Sequence, residues 1–153
     1  MANIVFNIAK GRIVELYSRV ENNDPANAAL ILIPIETAGL ETDAVLMDKD
    51  TLTDVLAGAT NEQTTMGRKT LTDVELAAVP APDDVNDRYE ISLPSVTWAA
   101  ADGNAISKFV VAYDSDTTGG TDAGIVPLTM FDLVATPSGL DIQLTGAVFH
   151  RAA

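Results

Sequence analysis

The 153 residues, 47% hydrophobic and 20% charged, are enough to bury a core and too apolar for a disordered tail. A net charge of −13, from 22 acidic and nine basic residues, disfavours direct contact with nucleic-acid phosphates. With no cysteine and one histidine, His150, the chain has no disulfide, thiolate metal site, cysteine nucleophile or zinc site of several imidazoles.

The opening stretch MANIVFNIAKGR has its apolar residues ahead of its basic ones, the wrong order for a secretory signal, so the expectation is a chain that begins at its coding start. Lys10, Arg12 and Arg19 face a single acid, Glu15, within the first twenty residues, and the whole negative excess follows. A basic leading segment on an acidic body can steer onto an acidic neighbour or a second copy, which marks residues 1–20 as a possible extended contact segment.

IVELYSRV, residues 13–20, is ambiguous. Ile13, Leu16, Tyr17 and Val20 fit a helical face, whereas Gly11 and the β-branched content favour a strand, which is the expectation here. ENNDPANA reads as a turn, and ALILIPIE as a buried strand whose Pro34 belongs at a sheet edge. One helix is expected over about 48–59, capped by Asp48 or Asp50, with Leu52, Val55 and Leu56 as its apolar face and Gly58 at its end. After a polar loop, RKTLTDVELAAV reads as a strand of some length, and PAPDDVND as a connector. Five further strand candidates follow, within RYEISL, SVTWAA, SKFVVAYD, VPLTMFDLVA and LDIQLTGAVFHR. Seven to nine short strands and one helix in a single domain imply a mainly β fold, an antiparallel β-sandwich or a jelly-roll-like barrel. No stretch is long and apolar enough to span a membrane as a helix; the longest run is AALILIPI.

The stretch YDSDTTGGTDAG, residues 113–124, concentrates three aspartates and three glycines. Counted as a calcium loop from Asp114, it places Asp116, Thr118, Gly119 and Asp122 well, yet its twelfth position is Ile125, which has no side-chain oxygen. An EF-hand is rejected, and an adventitious cation at Asp114, Asp116 and Asp122 stays open. A phosphate cradle fails because the stretch has no lysine and its aspartates repel phosphate. The remaining reading is a long connection between strands, with a tip at Thr117, Thr118 and Asp122 free to touch a partner. His150 has no nucleophile motif, and Asp83 and Asp84 lie in a solvated connector, so neither points to catalysis. Trp98, the sole tryptophan, suits a core or an interface.

These elements together carry a resemblance. Trp98 before Gly103 and Asn104, a strand ending in Tyr113 and Asp114, the Gly119–Gly120 loop, the PLT…D stretch from Pro127 to Asp132, and Pro137, Gly139, Asp141 and Ile142 recur as turn and strand motifs. EQTTMGRKT and DDVNDR belong with them. The C-terminal half resembles a family of small structural proteins of tailed bacteriophages, and within that class a capsid decoration (cement) protein. Such a resemblance implies a virion protein on the capsid surface, made in the host cytoplasm, often trimeric, whose partner is the major capsid protein, with no enzymatic activity and no cofactor or metal. A tail or fibre-base protein is the alternative. On this reading Lys10, Arg12, Arg19, Thr117, Thr118 and Asp122 make the capsid or subunit contacts.

Overall fold

A computed structural model describes residues 4–152. The fold is mainly β, with antiparallel pairing throughout. Nine strands are described: β1 (Ile4–Val5), β2 (Ala29–Glu36), β3 (Lys69–Leu71), β4 (Tyr89–Ser92), β5 (Val96–Ala101), β6 (Ile106–Asp114), β7 (Val126–Ala135), β8 (Leu140–Leu144) and β9 (Val148–Ala152). Five of them form one sheet in the order β1-β7-β6-β2-β3, and β4-β9 and β5-β8 are two-stranded ribbons. The sheets stay open, so among the described residues the jelly-roll-like barrel gives way to layered antiparallel sheets. No helix among those residues is long and apolar enough to cross a membrane.

The centre of the large sheet is buried on both faces. In β2 seven consecutive residues, Ala29 to Ile35, are buried, and in β6 and β7 the buried runs are Phe109–Tyr113 and Pro127–Phe131. A strand covered on both sides reads as a continuous apolar run rather than an alternation, which is why ALILIPI is legible. Phe109 and Phe131, cross-strand partners, stack with centroids 5.1 Å apart. β3 pairs only with Leu30–Leu32, so at Pro34 β2 has a strand neighbour on one side alone, β6, in keeping with the edge position expected of it. Its carbonyl accepts from the Gln63 backbone N–H at 2.9 Å, so its N-side faces the irregular 61–63 segment, and no β6 ladder bond is lost.

The stretch 13–21 is a helix, α1 (Ile13–Glu21), and not a strand. Ile13, Leu16, Tyr17 and Val20 are buried at the i, i+3, i+4, i+7 spacing of a single stripe. Burial of that stripe outweighs the weak strand preference of its β-branched residues. Tyr17 meets Phe149 of β9 (centroids 5.9 Å apart), and its hydroxyl donates to the Ala77 carbonyl at 2.8 Å. Residues 4–20 are therefore folded rather than extended. β1 pairs with β7, Phe6 and Ala9 are fully buried around a 3₁₀ turn, and α1 covers the core. Residues 1–3 of the expected contact segment lie outside the described residues.

The helix expected over 48–59 is present but shorter, α3 (Leu52–Leu56), and a separate single turn that was not expected, α2 (Asp43–Leu46), precedes it. The cap is neither Asp48 nor Asp50 but Thr51, whose Oγ1 accepts from the Asp54 N–H at 3.1 Å and donates to Asp54 Oδ2 at 2.7 Å. Asp48 instead receives a hydrogen bond from the Asn7 side-chain amide. Thr51→Ala is expected to cost about 1 kcal/mol, the usual loss of an N-cap, and chemical denaturation measures it. The long strand expected from Arg68 is only Lys69–Leu71. Glu75 turns the chain there, accepting from the Thr72 N–H at 2.8 Å and hydroxyl at 2.6 Å.

Candidate functional site

The β6–β7 connection is held through Asp114, Asp116, Thr117, Thr118 and Asp122. Asp114 Oδ1 accepts from the Asp116 N–H (3.0 Å), and Asp116 Oδ1 accepts from the Thr118 N–H (3.0 Å) and hydroxyl (2.5 Å). These are Asx turns, the short-range bonds that let Asp shape a loop. They hold the Asp116 carboxyl below its ordinary range, chiefly through the Thr118 hydroxyl. Thr117 donates through both N–H and Oγ1 to the Asn27 carbonyl, each at 3.1 Å. Gly120, at φ +83°, makes the bend that returns the chain toward β7.

Asp122 leaves the loop tip for an ion pair. Its two oxygens accept from Arg68 Nη1 at 2.7 Å and Nη2 at 2.9 Å. The same guanidinium donates from Nε and Nη2 to Glu62 at 2.8 and 2.6 Å. One planar fork thus grips two carboxylates, a geometry lysine does not offer. The Arg68 hydrogen bond holds the Asp122 carboxyl below its usual value against an opposing push from burial, and Arg68 is raised in return. The clamp joins the segment before β3 to the start of β7. With Asp122 turned to Arg68 and Asp114 and Asp116 spent on turns, no set of three His, Asp or Glu side chains gathers as a metal site among the described residues.

The basic residues of the leading segment divide. Arg12 (3.7 Å) and Arg19 (3.0 Å) share Glu15 on the exposed side of α1. Lys10 Nζ donates to Asn7 Oδ1 at 2.6 Å and lies at the other end of the segment. Arg19 stands beside Asp24 and Tyr113, and Glu15 with its hydrogen bond holds Arg19 in the charged form. Because Thr117 is tied to Asn27 in the turn after α1, Arg19, Thr117 and Thr118 belong to one end of the molecule. Arg12 reaches Arg19 only through their shared Glu15, Lys10 is tied to Asn7 instead, and Asp122 is withdrawn to Arg68.

The other sequence candidates are structural. Asp83 organises its own turn, accepting from the Val85 and Asn86 N–H groups at 3.2 Å each and from the Asn86 amide at 2.8 Å. That amide lowers the Asp83 pKa, the opposite of what a general acid needs. Trp98 is 1% exposed and donates to the Gly67 carbonyl at 3.0 Å. His150, on β9, is half-buried beside Tyr89.

Sequence reasoning missed three polar anchors in the interior. Arg68 is one. Gln63, 1% exposed, donates to the Asn104 carbonyl at 2.8 Å and accepts from the Thr65 N–H at 2.8 Å. Lys108 is the third, with Nζ 2.7 Å from Asp132 and 3.1 Å from Asp43. Burial opposes its charge, but the two carboxylates outweigh it and raise its pKa. The available signal was the closeness in sequence of Glu62 and Gln63, in a stretch taken for a polar loop, to Arg68 at the start of the expected strand. No protein-family model matches the chain, and no match was found among curated proteins or solved structures.

Proposed function

We propose that the chain is a capsid decoration protein of a tailed bacteriophage, one that binds the outer surface of the assembled lattice and stabilises it. The observation behind this reading is that Arg19 of α1 stands beside Asp24 and Tyr113 while the Thr117–Thr118 tip is tied to Asn27, so both border the turn after α1. A cation and a hydrogen-bonding loop selected separately in the sequence share one end of a rigid body. The residues that carry the resemblance act in the fold as turns and anchors. Gly139 bends at φ +80°, Asp141 accepts from the Ala100 N–H, and Trp98 pins Gly67. Such a protein needs a fixed shape and no reaction. Binding only to the finished lattice, it stabilises the shell by its own binding free energy. An oligomer adds avidity, because later contacts are intramolecular.

Deleting the leading segment is a poor test, since it strips β1, Phe6 and Ala9 from the core. Charge reversal of an exposed residue is cleaner. Undecorated heads mixed with purified protein are expected to take up many copies per particle. Arg19→Glu is expected to weaken that uptake about tenfold, with less loss at high salt. Co-sedimentation and quantitative gel densitometry measure both. Failure of the wild type to bind heads, or a handful of copies confined to tails, overturns the reading.

A further inference from the structure

Between β1 and β9 lies a cleft of about 390 Å³, lined by Ile4, Val5, Thr129, Phe131, Val148 and His150 among others. It shares Val5 and His150 with a neighbouring hollow of about 370 Å³ that Lys10, Ile13 and Val14 border. Three observations at this place bear on what fills it.

The first is backbone. Among the described residues β1 pairs only with β7 and β9 only with β4, so each presents an outer edge to the cleft region. Unpaired N–H and C=O rows are templates for an added strand. The second is an orphan. Thr129 is 2% exposed, lines the cleft, and its hydroxyl has no hydrogen-bond partner. Buried hydroxyls are normally satisfied, and an incoming backbone carbonyl supplies what this one lacks. The third is charge. Arg151 at the rim is spent on Glu90 at 2.6 Å, but Lys10, which borders the adjoining hollow, makes no ion pair among the described residues and offers one free cation on a chain of net charge −13.

A fitting occupant is extended, apolar and acidic, and the chain itself contains one. Strand β8, Leu140–Leu144, has the five-residue length of β9 and pairs only with β5, leaving its other edge open. Leu140 is 72% exposed, so it is free to be buried against a partner, and Asp141 follows it. We propose that β8 of a second copy lays its free edge along β9, with Leu140 entering the cleft and Asp141, whose Oδ1 already accepts from its own Ala100 N–H, turning its other oxygen to Lys10. The contact is heterologous, cleft to strand, and a heterologous contact closes into a ring when its rotation permits. It does not depend on head binding, because it forms between purified copies.

Sedimentation over a wide concentration range, with amide hydrogen exchange at both extremes, tests this on the full chain. The wild type is expected to associate, with residues 140–144 and 148–151 gaining protection together. Leu140→Glu changes an exposed side chain, leaves the folded monomer intact, and is expected to weaken association about thirtyfold or more. Thr129→Val keeps the shape and removes the orphan hydroxyl, so the monomer holds or gains thermal stability while association weakens several-fold. A wild type that is monomeric throughout overturns the proposal, as does an oligomer that Leu140→Glu leaves intact or that protects other strands. A monomer whose cleft amides become protected only when heads are added gives the cleft to capsid polypeptide, and likewise overturns self-association. Since Arg19→Glu reads head binding and Leu140→Glu reads association, failure of either proposal is visible separately.

Discussion

Trp98→Ala is expected to lower the free energy of unfolding by about 4 kcal/mol, the largest loss of any single substitution considered for this chain. The indole is 1% exposed and the largest fully buried side chain, so its removal forfeits the whole transfer term and leaves a cavity that rigid neighbours cannot fill. Position adds to size. Trp98 pairs across the β5–β8 ribbon with Ile142, and its Nε1–H reaches the Gly67 carbonyl at 3.0 Å. It therefore ties a two-stranded ribbon, too small to be stable alone, to the segment that leads into β3. Trp98→Phe keeps much of the apolar area and loses the N–H, so about 1–2 kcal/mol is expected from it. Urea denaturation followed by circular dichroism separates the two, because both variants lack the only tryptophan fluorophore. A loss below about 1.5 kcal/mol for the alanine variant means that the site collapses or that the ribbon contributes little.

The ribbon also bears on function. Leu140 and Asp141 lie on β8, directly across from the strand that Trp98 anchors. A loosened β5–β8 pair presents the β8 edge less rigidly, so Trp98→Phe is expected to weaken association even where the monomer stays folded.

How far the sequence was legible depends on the range of the deciding interaction. The apolar runs of β2, β6 and β7 are visible because strands covered on both faces need nothing but apolar residues. The aspartate–glycine loop was legible as a turn because Asx bonds span two residues. Helix α1 was not, since Ile13, Val14 and Val20 speak for a strand locally and burial of the Ile13, Leu16, Tyr17 and Val20 stripe, with Tyr17 against Phe149 and Ala77, settles the matter. Thr72-x-x-Glu75 and Thr51-x-x-Asp54 were local signals overlooked in favour of a longer strand and an aspartate cap. The Asp122 tip is the instructive case. Its sequence neighbourhood is all loop, and its partner Arg68 is fifty-four positions away. Nothing within the twelve residues of the stretch reports that contact.

The clamp formed by that contact yields the second large effect. Arg68→Met is expected to cost about 2–3 kcal/mol. The guanidinium is 30% exposed and Asp122 36%, so solvent screens their half of the network, and that half alone carries about 1 kcal/mol. Glu62 is 13% exposed, and stripped of Arg68 it is a carboxylate held largely away from water, which is where most of the loss lies. Asp122→Asn, which leaves Arg68 paired with Glu62, is accordingly expected to cost about 1 kcal/mol. The pH dependence has a fixed sign. Asp122 titrates below its ordinary value in the folded chain, because Arg68 bonds its charged form. Its contribution is complete above the unfolded value near pH 4 and is lost as pH falls through the lower folded value. The gap in stability between wild type and Arg68→Met therefore narrows below about pH 4, while Arg68 itself stays charged throughout. Denaturation at pH 7 and pH 3 measures the gap. Limited proteolysis gives an independent reading, since releasing Asp122 frees the 115–121 segment at one end and leaves only Thr117 on Asn27 to hold it. Equal gaps at both pH values, with no faster cleavage in the loop, remove the ion pair from the account and leave the turn to Gly120 and the Asx bonds alone.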